Sequence, residues 1–584
     1  MSYAAPVRDM VAILRGPAGL DRAVAKDQTN GFGVDDFASV LDEAARFAGE
    51  VIAPLNRIGD ENGARFEDGR VATAPGFKEA YKAWAEGGWN ALAGPEEFGG
   101  QGLPHTIAVA CTEMWNSGSL AFALGPLLTI GAVEALEKHG SHDLKQHYLP
   151  KLVSGEWTGT MNLTEPQAGS DLAALRAKAE RNADGSYRIT GTKIFITYGE
   201  HDMTDNIVHL VLARLPDAPA GTRGISLFLV PKVLPDGRPN DVRCAGIEHK
   251  LGIHASPTCV MVFGDEGGAA GWLIGEENRG LACMFTMMNS ARLNVAVQGV
   301  AVAERAYQQA LAYARERKQG RAPGASGAGM SPIFEHPDIR RMLLTMKSQT
   351  MAARAISYLT AACLDLAARS PDAGERARAA ARASLLTPVA KAFATDTGNE
   401  VASLGVQIHG GMGFVEETGA AQHMRDARIL PIYEGTNGIQ AIDLVTRKLP
   451  LDGGEIVAAE IAAMRATVKA LMNKGESYGA SAARLRDAVE SLDRATAFMK
   501  QALAGNDPGP ALAGATPYLR LFALARGGTL LADLALAENA DASRGHIALC
   551  RFFAENVVPA AAGLGEAVLG GAGFLEDAGV ALAG

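Results

Sequence analysis

The sequence predicts a mainly α-helical protein with a β domain at its centre. Apolar residues recur at helical spacing before about residue 155 and again after about residue 276. Between these positions the pattern changes to short β-branched runs bounded by Gly, Pro and Asp. The length of 584 residues is far above that of one domain and suggests about three or four.

Composition narrows the class of protein. Hydrophobic residues make up 48% of the chain, which is enough for a large core. The formal net charge of −10 argues against a general binder of nucleic acid or of anionic membranes. The six cysteines include no CxxC pair, as expected for reduced, buried thiols. We find no signal peptide and no apolar run long enough to span a bilayer, and therefore expect a soluble, cytoplasmic protein without stable membrane insertion.

Residues 1–155 are predicted to form a helical N-terminal domain. Apolar side chains at helical spacing, such as Phe77, Tyr81 and Trp84, indicate its helices, and glycine-containing breaks separate them. The stretch 120–136 is apolar and rich in small residues, and it is predicted to be a buried helix pair.

Residues 156–275 are predicted to form the middle β domain. Side chains alternate in character around a turn at Gly191, and β-branched runs follow at 207–213, 224–230 and 258–263. The connections between these runs are too short for crossover helices, so the sheet should be largely antiparallel.

Helical patterns return in the last two predicted domains, a bundle at 276–450 and an extension at 451–584. The helices of the bundle are expected at about 284–317, 338–368 and 373–404, and the Gly/Ala/Ser/Pro loop at 318–334 should be mobile. The extension should be helical, with breaks at 505–509 and 527–528.

A single carboxylate marks the candidate catalytic site. Glu434 lies between the apolar residues 429–433 and Gly435. An apolar setting removes solvation and raises the pKa of a carboxyl group toward the range that a general base needs, so Glu434 could take a proton from carbon. Gly435 has no Cβ and leaves room for a ligand beside the backbone. The alternative is a solvated glutamate before a helix that is capped by Thr436 or Asn437.

Two segments near the β domain could contact a bound ring. Thr164 and Ser170, in the stretch MNLTEPQAGSD at 161–171, offer hydroxyls for a polar ring and a nearby phosphate, although a turn with a helix cap is the alternative. Phe195 and Thr197 should lie on one side of a strand and could cover the face of the ring, although a half-buried strand is the alternative.

Other patterns point away from competing sites. No GxGxxG follows a predicted strand, and no GK[ST] follows the glycines at 410–413, which argues against Rossmann and P-loop nucleotide sites. The histidines at 139, 142 and 147 lack a supporting carboxylate pattern, so solvated histidines are favoured and no metal site is predicted. His409 is expected to pack or to form hydrogen bonds rather than to act in acid–base chemistry.

Five motifs, taken together and in order, resemble those of acyl-CoA dehydrogenases. They are EPxAGSD at 165–171, GTKxFIT at 191–197, ERAYQQALAYARERKQGR at 304–321, QIHGGMGF at 407–414 and MRDARILPIYEGTNGIQ at 424–440. The resemblance covers roughly residues 35–450. The opening residues, the loop near 320–334 and the extension are similar to the branch of the family typified by 3-methylmercaptopropionyl-CoA dehydrogenase.

The resemblance implies a helical N-domain, a β-barrel-like middle domain and a helical bundle, with FAD in the cleft between them. It implies α,β-dehydrogenation of an acyl-CoA thioester, as in fatty-acid β-oxidation, with electrons passed to an electron-transfer flavoprotein. Glu434 matches the base that removes the α-proton, while the β-hydride goes to flavin N5. The backbone N–H of Glu434 and a ribityl hydroxyl of FAD would hold the thioester carbonyl.

The resemblance also assigns binding residues. Substrate contacts fall to Ser170, Gly435 and Arg292, the last of which packs near the base. FAD contacts fall to Met161, Leu163, Thr164, Ser170, Phe195, Ile196, Thr197, Arg317, Gln407, Gly410, Gly411, Thr436 and Gly438. Many relatives have Gln where this chain has Gly438, which puts that contact in doubt.

The resemblance leaves several questions open. The extension should cover the surface through which four-subunit relatives assemble, so a homodimer is expected. The rival functions are an acyl-CoA oxidase that uses O2, a non-catalytic DNA-binding relative and a flavin scaffold closed to acyl-CoA. The acyl group is not readable from the sequence; 3-methylmercaptopropionyl or another short or medium chain fits.

Overall fold

The structure is a computed structural model that describes residues 3–23, 34–325, 329–537 and 543–583. Before residue 156 the described chain is mainly helical, with loops, one short hairpin, a π-helical turn at Ala48–Ile52 and two short 3-10 turns. The helices are α1 (Val7–Arg15), α2 (Leu20–Ala23), α3 (Val34–Phe47), α4 (Leu55–Asn62), α5 (Phe77–Glu86), α6 (His105–Gly118), α7 (Leu120–His139) and α8 (His142–Val153), and the hairpin is β1 (Arg65–Glu67) with β2 (Arg70–Ala72).

Residues 120–139 form the single helix α7. The prediction of a pair of helices at 120–136 was therefore wrong. Ser119 caps the start of α7 by accepting a hydrogen bond from the N–H of Phe122 at 3.4 Å. Pro126 lies in the second turn, where it removes one hydrogen bond without ending the helix. The helix is buried on all sides in the N-terminal region, which accounts for its uniformly apolar sequence.

The expectation that no apolar run could span a bilayer was also wrong. Within the described residues, α7 and α10 (Pro337–Arg369) are long and apolar enough by length and composition. A bent pair near the C-terminus, 544–556 with 560–581, passes the same test only if it is counted as one span. The most apolar segment of α7 is 83% buried inside the fold, and that of α10 is 78% buried. Both helices therefore face the protein core rather than lipid.

The middle region forms a barrel-like sheet. Its strands are β3 (Thr158–Asn162), β4 (Lys178–Arg181), β5 (Tyr187–Thr197), β6 (Ile207–Arg214), β7 (Ile225–Pro231), β8 (Val242–Ile247), β9 (Thr258–Phe263) and β10 (Ala269–Ile274). The order is β10-β7-β6-β4-β5-β9-β8, and β10 also pairs with β5, which closes a ring. Pairing is antiparallel except where β3 and β4 meet β6, which confirms the prediction of a largely antiparallel sheet.

Strand β5 is continuous through Gly191, so the turn that the sequence predicted there was wrong. Its first half pairs with β4 and β10, and its second half pairs with β9. Gly191 has a φ of +148°, and a Cβ there would lie 2.9 Å from the Cα of Ala177. The glycine therefore marks a bend and a close approach of two backbones rather than a chain reversal.

Three long helices build the bundle, as predicted: α9 (Gly280–Glu316), α10 and α11 (Ala373–His409). They approach closely, because a Cβ on Gly299 would lie 2.3 Å from the carbonyl oxygen of Ala394. The short helices α12 (Gly411–Phe414), α13 (Ala420–Ala427) and α14 (Asn437–Asp443) follow, with a π-helical turn at Leu444–Lys448. Residues 326–328 lie outside the described residues, so the mobility of the loop at 318–334 stays a prediction.

A buried ion-pair network joins the N-terminal helices to the bundle. The guanidinium of Arg354 on α10 lies 2.6 Å from Glu113 on α6 and 2.8 Å from Glu304 on α9. The hydroxyl of Tyr358 donates to Glu113 at 2.7 Å. Arg354, Glu113 and Tyr358 have no solvent-exposed surface, so each charge depends on its partners.

The extension is helical, as predicted, and packs against the bundle. Its helices are α15 (Glu455–Met472), α16 (Ser481–Ala504), α17 (Gly509–Ala513), α18 (Ala515–Ala537), α19 (Ser543–Asn556), α20 (Ala560–Gly570) and α21 (Phe574–Ala581). The break at 505–509 is confirmed, but the break at 527–528 was wrong because α18 is continuous there. A Cβ on Gly527 would lie 3.1 Å from the Cβ of Ala352, so this glycine admits a neighbouring helix.

Candidate functional site

The candidate base lies in a strained turn between α13 and α14. Glu434 has a φ of +56° and Gly435 a φ of +88°. A residue with a side chain rarely adopts the left-handed region, and it persists there only when its surroundings hold it. Such strain is typical of a functional position rather than of the solvated loop that was the alternative.

Lys391 on α11 forms hydrogen bonds with this turn. Its Nζ donates hydrogen bonds to the carbonyl oxygen of Gly435 at 2.8 Å and to Oδ1 of Asn437 at 3.0 Å. The amide of Asn437 donates in turn to Asp396 at 2.7 Å. The sequence analysis missed Lys391, although a charged residue inside the apolar stretch PVAKAFA was an available signal.

The electrostatics suit a base near neutral pH. Burial raises the pKa of Glu434 to about 7, against the opposing charges of Arg292 and Lys391. Burial also lowers the pKa of Lys391 to about 7. Arg292 is 6% exposed and lies 3.4 Å from Asp443, so it is both an ion-pair partner and part of the field at the base.

The backbone beside the base is open to a ligand. The N–H of Glu434 makes no hydrogen bond within the part of the chain that the structure describes. The hydroxyl of Tyr433 is already used, since it donates to Gln298. Thr436 caps α14, with its Oγ1 accepting from the N–H of Ile439 at 3.3 Å, and it therefore also fills the structural role considered as the alternative.

The cofactor segment at 161–171 is tied to β5. The N–H of Ile194 donates to the carbonyl of Thr164 at 2.9 Å. Lys193 and Glu165 form a buried ion pair at 2.8 Å, which makes this glutamate structural. Met161, Leu163 and Thr164 are half-buried and Ser170 is exposed.

A β-bulge shapes the second cofactor segment. The register of β5 shifts between Lys193 and Ile196, and Phe195 has a φ of +59°. Phe195 is 57% exposed and Thr197 is half-buried, so they share the outer side as predicted. The bulge turns Lys193 inwards, where it has no exposed surface. Ile196 is 2% exposed and can reach a ligand only through its backbone.

These two segments fit a planar polar ring. The hydroxyls of Thr164, Ser170 and Thr197 form no side-chain hydrogen bond with any described residue, and they lie on segments that are joined by the Ile194 contact. The exposed ring of Phe195 supplies an apolar surface beside them. Hydroxyls without a protein partner could bond to the polar edge of a ring such as a flavin, and an exposed aromatic side chain could cover its face.

The other predicted cofactor residues form a separate group. Arg317 follows the end of α9, 25 residues after Arg292 on the same helix, or about 37 Å at the α-helical rise. Gln407, Gly410 and Gly411 are exposed at the end of α11. His409 stacks on Tyr313 with ring centroids 4.4 Å apart, which brings the two helix ends together.

This second group therefore lies far from the base of its own chain. Gly438 belongs to the first group, exposed in the first turn of α14. His409 packs as expected, and its Nδ1 lies 2.7 Å from the carbonyl of Gly405. No group of three or more potential metal ligands occurs within residues 3–23, 34–325, 329–537 and 543–583.

Comparison with known proteins agrees with this architecture. Family models match the chain in four consecutive parts: "Acyl-CoA dehydrogenase, N-terminal domain" at 35–156, "middle domain" at 160–265, "C-terminal domain" at 278–449 and "Acetyl-CoA dehydrogenase C-terminal like" at 458–578.

Individual relatives match nearly the whole length. The chain is 50% identical to 3-methylmercaptopropionyl-CoA dehydrogenase of Ruegeria pomeroyi, over 93% of each chain. It is 35% identical to a butyryl-CoA dehydrogenase of Syntrophomonas wolfei, over 90% of each. Among solved structures, Caenorhabditis elegans ACDH-11 in complex with C11-CoA is similar with a TM-score of 0.78 at 20% identity, over 95% of this chain and 92% of that one.

Proposed function

The chain belongs to the acyl-CoA dehydrogenase family, and on this premise we propose that it oxidises the Cα–Cβ bond of an acyl-CoA thioester with Glu434 as the base. The observation that supports this most strongly is the strained, half-buried Glu434, whose pKa is raised to about 7 by burial. A carboxylate of that pKa is ionised in part at neutral pH and still basic enough to take a proton from carbon.

The chain's own groups prepare the substrate for proton loss. The unpaired N–H of Glu434 is a donor for the thioester carbonyl, which acidifies the neighbouring α-carbon by stabilising negative charge on the carbonyl oxygen. Gly435 keeps the approach free of a side chain. Arg292 and Lys391 place positive charge near the carboxylate and favour its ionised form before it accepts the α-proton.

The enzyme is an FAD-dependent oxidoreductase. We propose that Met161, Leu163, Thr164, Phe195 and Thr197 line the flavin, with Ile196 contributing its backbone. Bound FAD supplies the hydride acceptor for the β-carbon. The protein's part is to orient the substrate between this acceptor and Glu434, since the two hydrogens leave from adjacent carbons.

The substrate that we propose is 3-methylmercaptopropionyl-CoA or another short- or medium-chain acyl-CoA, as in β-oxidation. The support is the 50% identity to the Ruegeria enzyme over 93% of both chains. The test is an anaerobic titration of the purified holoenzyme with a panel of acyl-CoAs, for wild type and Glu434→Gln. We expect flavin bleaching that is strongest with one short thioester and absent in the variant; bleaching that survives in Glu434→Gln would refute the assignment of the base.

We further propose a homodimer that donates electrons to an electron-transfer flavoprotein in the cytoplasm. The support for a dimer is the separation of the predicted FAD contacts into two groups about 37 Å apart along α9. One FAD site would then take Arg317, Gln407, Gly410 and Gly411 from a second copy. Light scattering should give the mass of two chains, and a mass of one or four would contradict the proposal.

The electron acceptor and the rival functions are tested separately. Wild-type enzyme that turns over in air without an electron-transfer flavoprotein and releases peroxide would be an oxidase. Salt-sensitive retention of DNA without turnover would indicate the non-catalytic alternative. We expect turnover only when the flavoprotein is added.

A further inference from the structure

We propose that Lys391 is a positioning residue for the base: its buried amino group holds the turn of Glu434 and Gly435 in its left-handed form and, when protonated, places positive charge against the carboxylate. This inference rests on the proposed role of Glu434. It adds a residue that the sequence motifs around the base do not contain, since Lys391 lies 43 positions before Glu434, on another element.

The geometry shows how one side chain can hold the turn. Lys391 belongs to the rigid helix α11, and its Nζ reaches the carbonyl of Gly435 at 2.8 Å, one peptide unit beyond the base. Its second hydrogen bond, to Asn437 at 3.0 Å, fixes the start of α14. The amide of Asn437 is itself bound to α11, through Asp396 and through Thr395 at 3.0 Å.

The cost of burying this lysine indicates a purpose beyond packing. Lys391 has no exposed surface, and its two hydrogen bonds go to Gly435 and Asn437 rather than to a carboxylate. A buried ammonium whose hydrogen bonds go to a carbonyl and an amide is poorly compensated for its lost hydration. A methionine would fill the same volume at lower cost, so the charge and the directed hydrogen bonds are the features that need explaining.

The charges around Glu434 come from three elements. Arg292 faces it from α9, Lys391 and Asp396 lie on α11, and Asp443 follows on α14. Arg292 is already engaged by Asp443 at 3.4 Å. Asp443 also pairs with Arg447 at 2.5 Å, so Arg292 keeps part of its charge. Lys391 forms no ion pair with a described residue, and its removal should disfavour the ionised carboxylate.

The test compares Lys391→Met, Lys391→Arg and a matched control, Lys347→Met, in the holoenzyme. Lys347 is a half-buried lysine on the neighbouring helix α10 whose partner is Asp9 at 3.3 Å. The readouts are the pH profile of kcat/KM, the separate values of kcat and KM, and a crystal structure of Lys391→Met.

We expect Lys391→Met to move the acid limb of the profile upwards by about one pH unit, because an opposite charge nearby is lost. At pH 6 this shift alone lowers kcat/KM by about tenfold, with kcat falling and KM nearly unchanged. Lys391→Arg should return the acid limb to its wild-type pH, because the positive charge is kept, even where the larger guanidinium group lowers kcat. The crystal structure should show Glu434 outside the left-handed region or the Gly435 carbonyl turned away.

Two results would overturn the inference. One is a Lys391→Met enzyme with the wild-type profile and an unchanged turn; the other is a loss of kcat equal in Lys347→Met, which would indicate general destabilisation. Failure of the proposed function is recognised separately, because wild type would then bleach with no thioester, while the crystal structure would still decide whether Lys391 holds the turn.

Discussion

The ionisation of Glu434 makes a quantitative prediction for the pH dependence of the reaction. With a pKa of about 7, raised by burial, about one tenth of the carboxyl is ionised at pH 6 and about nine tenths at pH 8. Because only the carboxylate can accept the α-proton, kcat/KM should rise about tenfold between these two values. An ordinary glutamate, with a pKa near 4.3, would give a flat profile over this range.

The assay is the anaerobic rate of flavin bleaching under low-substrate conditions, which reports the pKa of the free enzyme. The same substrate is used throughout, and the buffers are matched in ionic strength from pH 6 to pH 8. A profile that is flat from pH 6 to 8, with its midpoint near the ordinary glutamate value, would refute the claim that burial tunes the base.

The same pKa shift predicts a stability effect that needs no substrate. Since folding raises the pKa of Glu434, the folded state favours the protonated form; this contribution to stability is present below about pH 4.5 and is lost as the pH rises through about 7. The shift corresponds to about 3.4 kcal/mol at most, and solvent access to the half-buried group reduces it to about 1–3 kcal/mol.

Glu434→Gln removes the penalty because the amide does not ionise. We expect its denaturant midpoint to exceed that of wild type at pH 8 and to match it near pH 4.5. Glu417→Gln, at an exposed glutamate in the same region, is the control and should show no such difference. A Gln variant less stable than wild type at pH 8 would mean that the carboxylate is well solvated or well paired.

Three further changes test the packing around the site. Gly435→Ala places a Cβ at a φ of +88° and 2.6 Å from Nε2 of Gln440, and should lower the bleaching rate at least tenfold with flavin content unchanged. Arg354→Met leaves two buried carboxylates unpaired and should cost about 3–5 kcal/mol in denaturant unfolding. Gly299→Ala drives a Cβ to 2.3 Å from a backbone carbonyl of α11 and should cost about 1–3 kcal/mol, whereas Gly405→Ala, with no contact closer than 3.6 Å, should be neutral.

The sequence was informative wherever local pattern and tertiary role coincide. The long helices of the bundle were predicted because their apolar periodicity runs over many turns, and the sheet was predicted because its β-branched runs are short and closely spaced. Glu434 could be singled out because an apolar flank and a glycine directly border it. These signals are contained in the few residues next to each feature.

Glycines were misread where their meaning depends on distant neighbours. Gly191 was interpreted as a turn and Gly527 as a helix break, yet each admits another segment of backbone or helix at close range. Lys391 was missed for the same reason. Its apolar neighbours were an available signal of burial, but its partners are 44 and 46 residues away, so the local sequence does not show what the lysine binds.

The extension packs against α11, which carries Lys391, and against α14, which follows the turn of Glu434. Helix α18 contacts α10, α11 and α14. Its Arg520 lies 2.8 Å from Glu400 and 5.2 Å from the ring of Phe393, both on α11. Phe393 is two residues from Lys391, so the segment that anchors the base is packed from the extension side. Rigid support of this kind is what keeps a strained turn from relaxing. Substitutions in α18 at this contact should therefore reach the turn of Glu434 through α11.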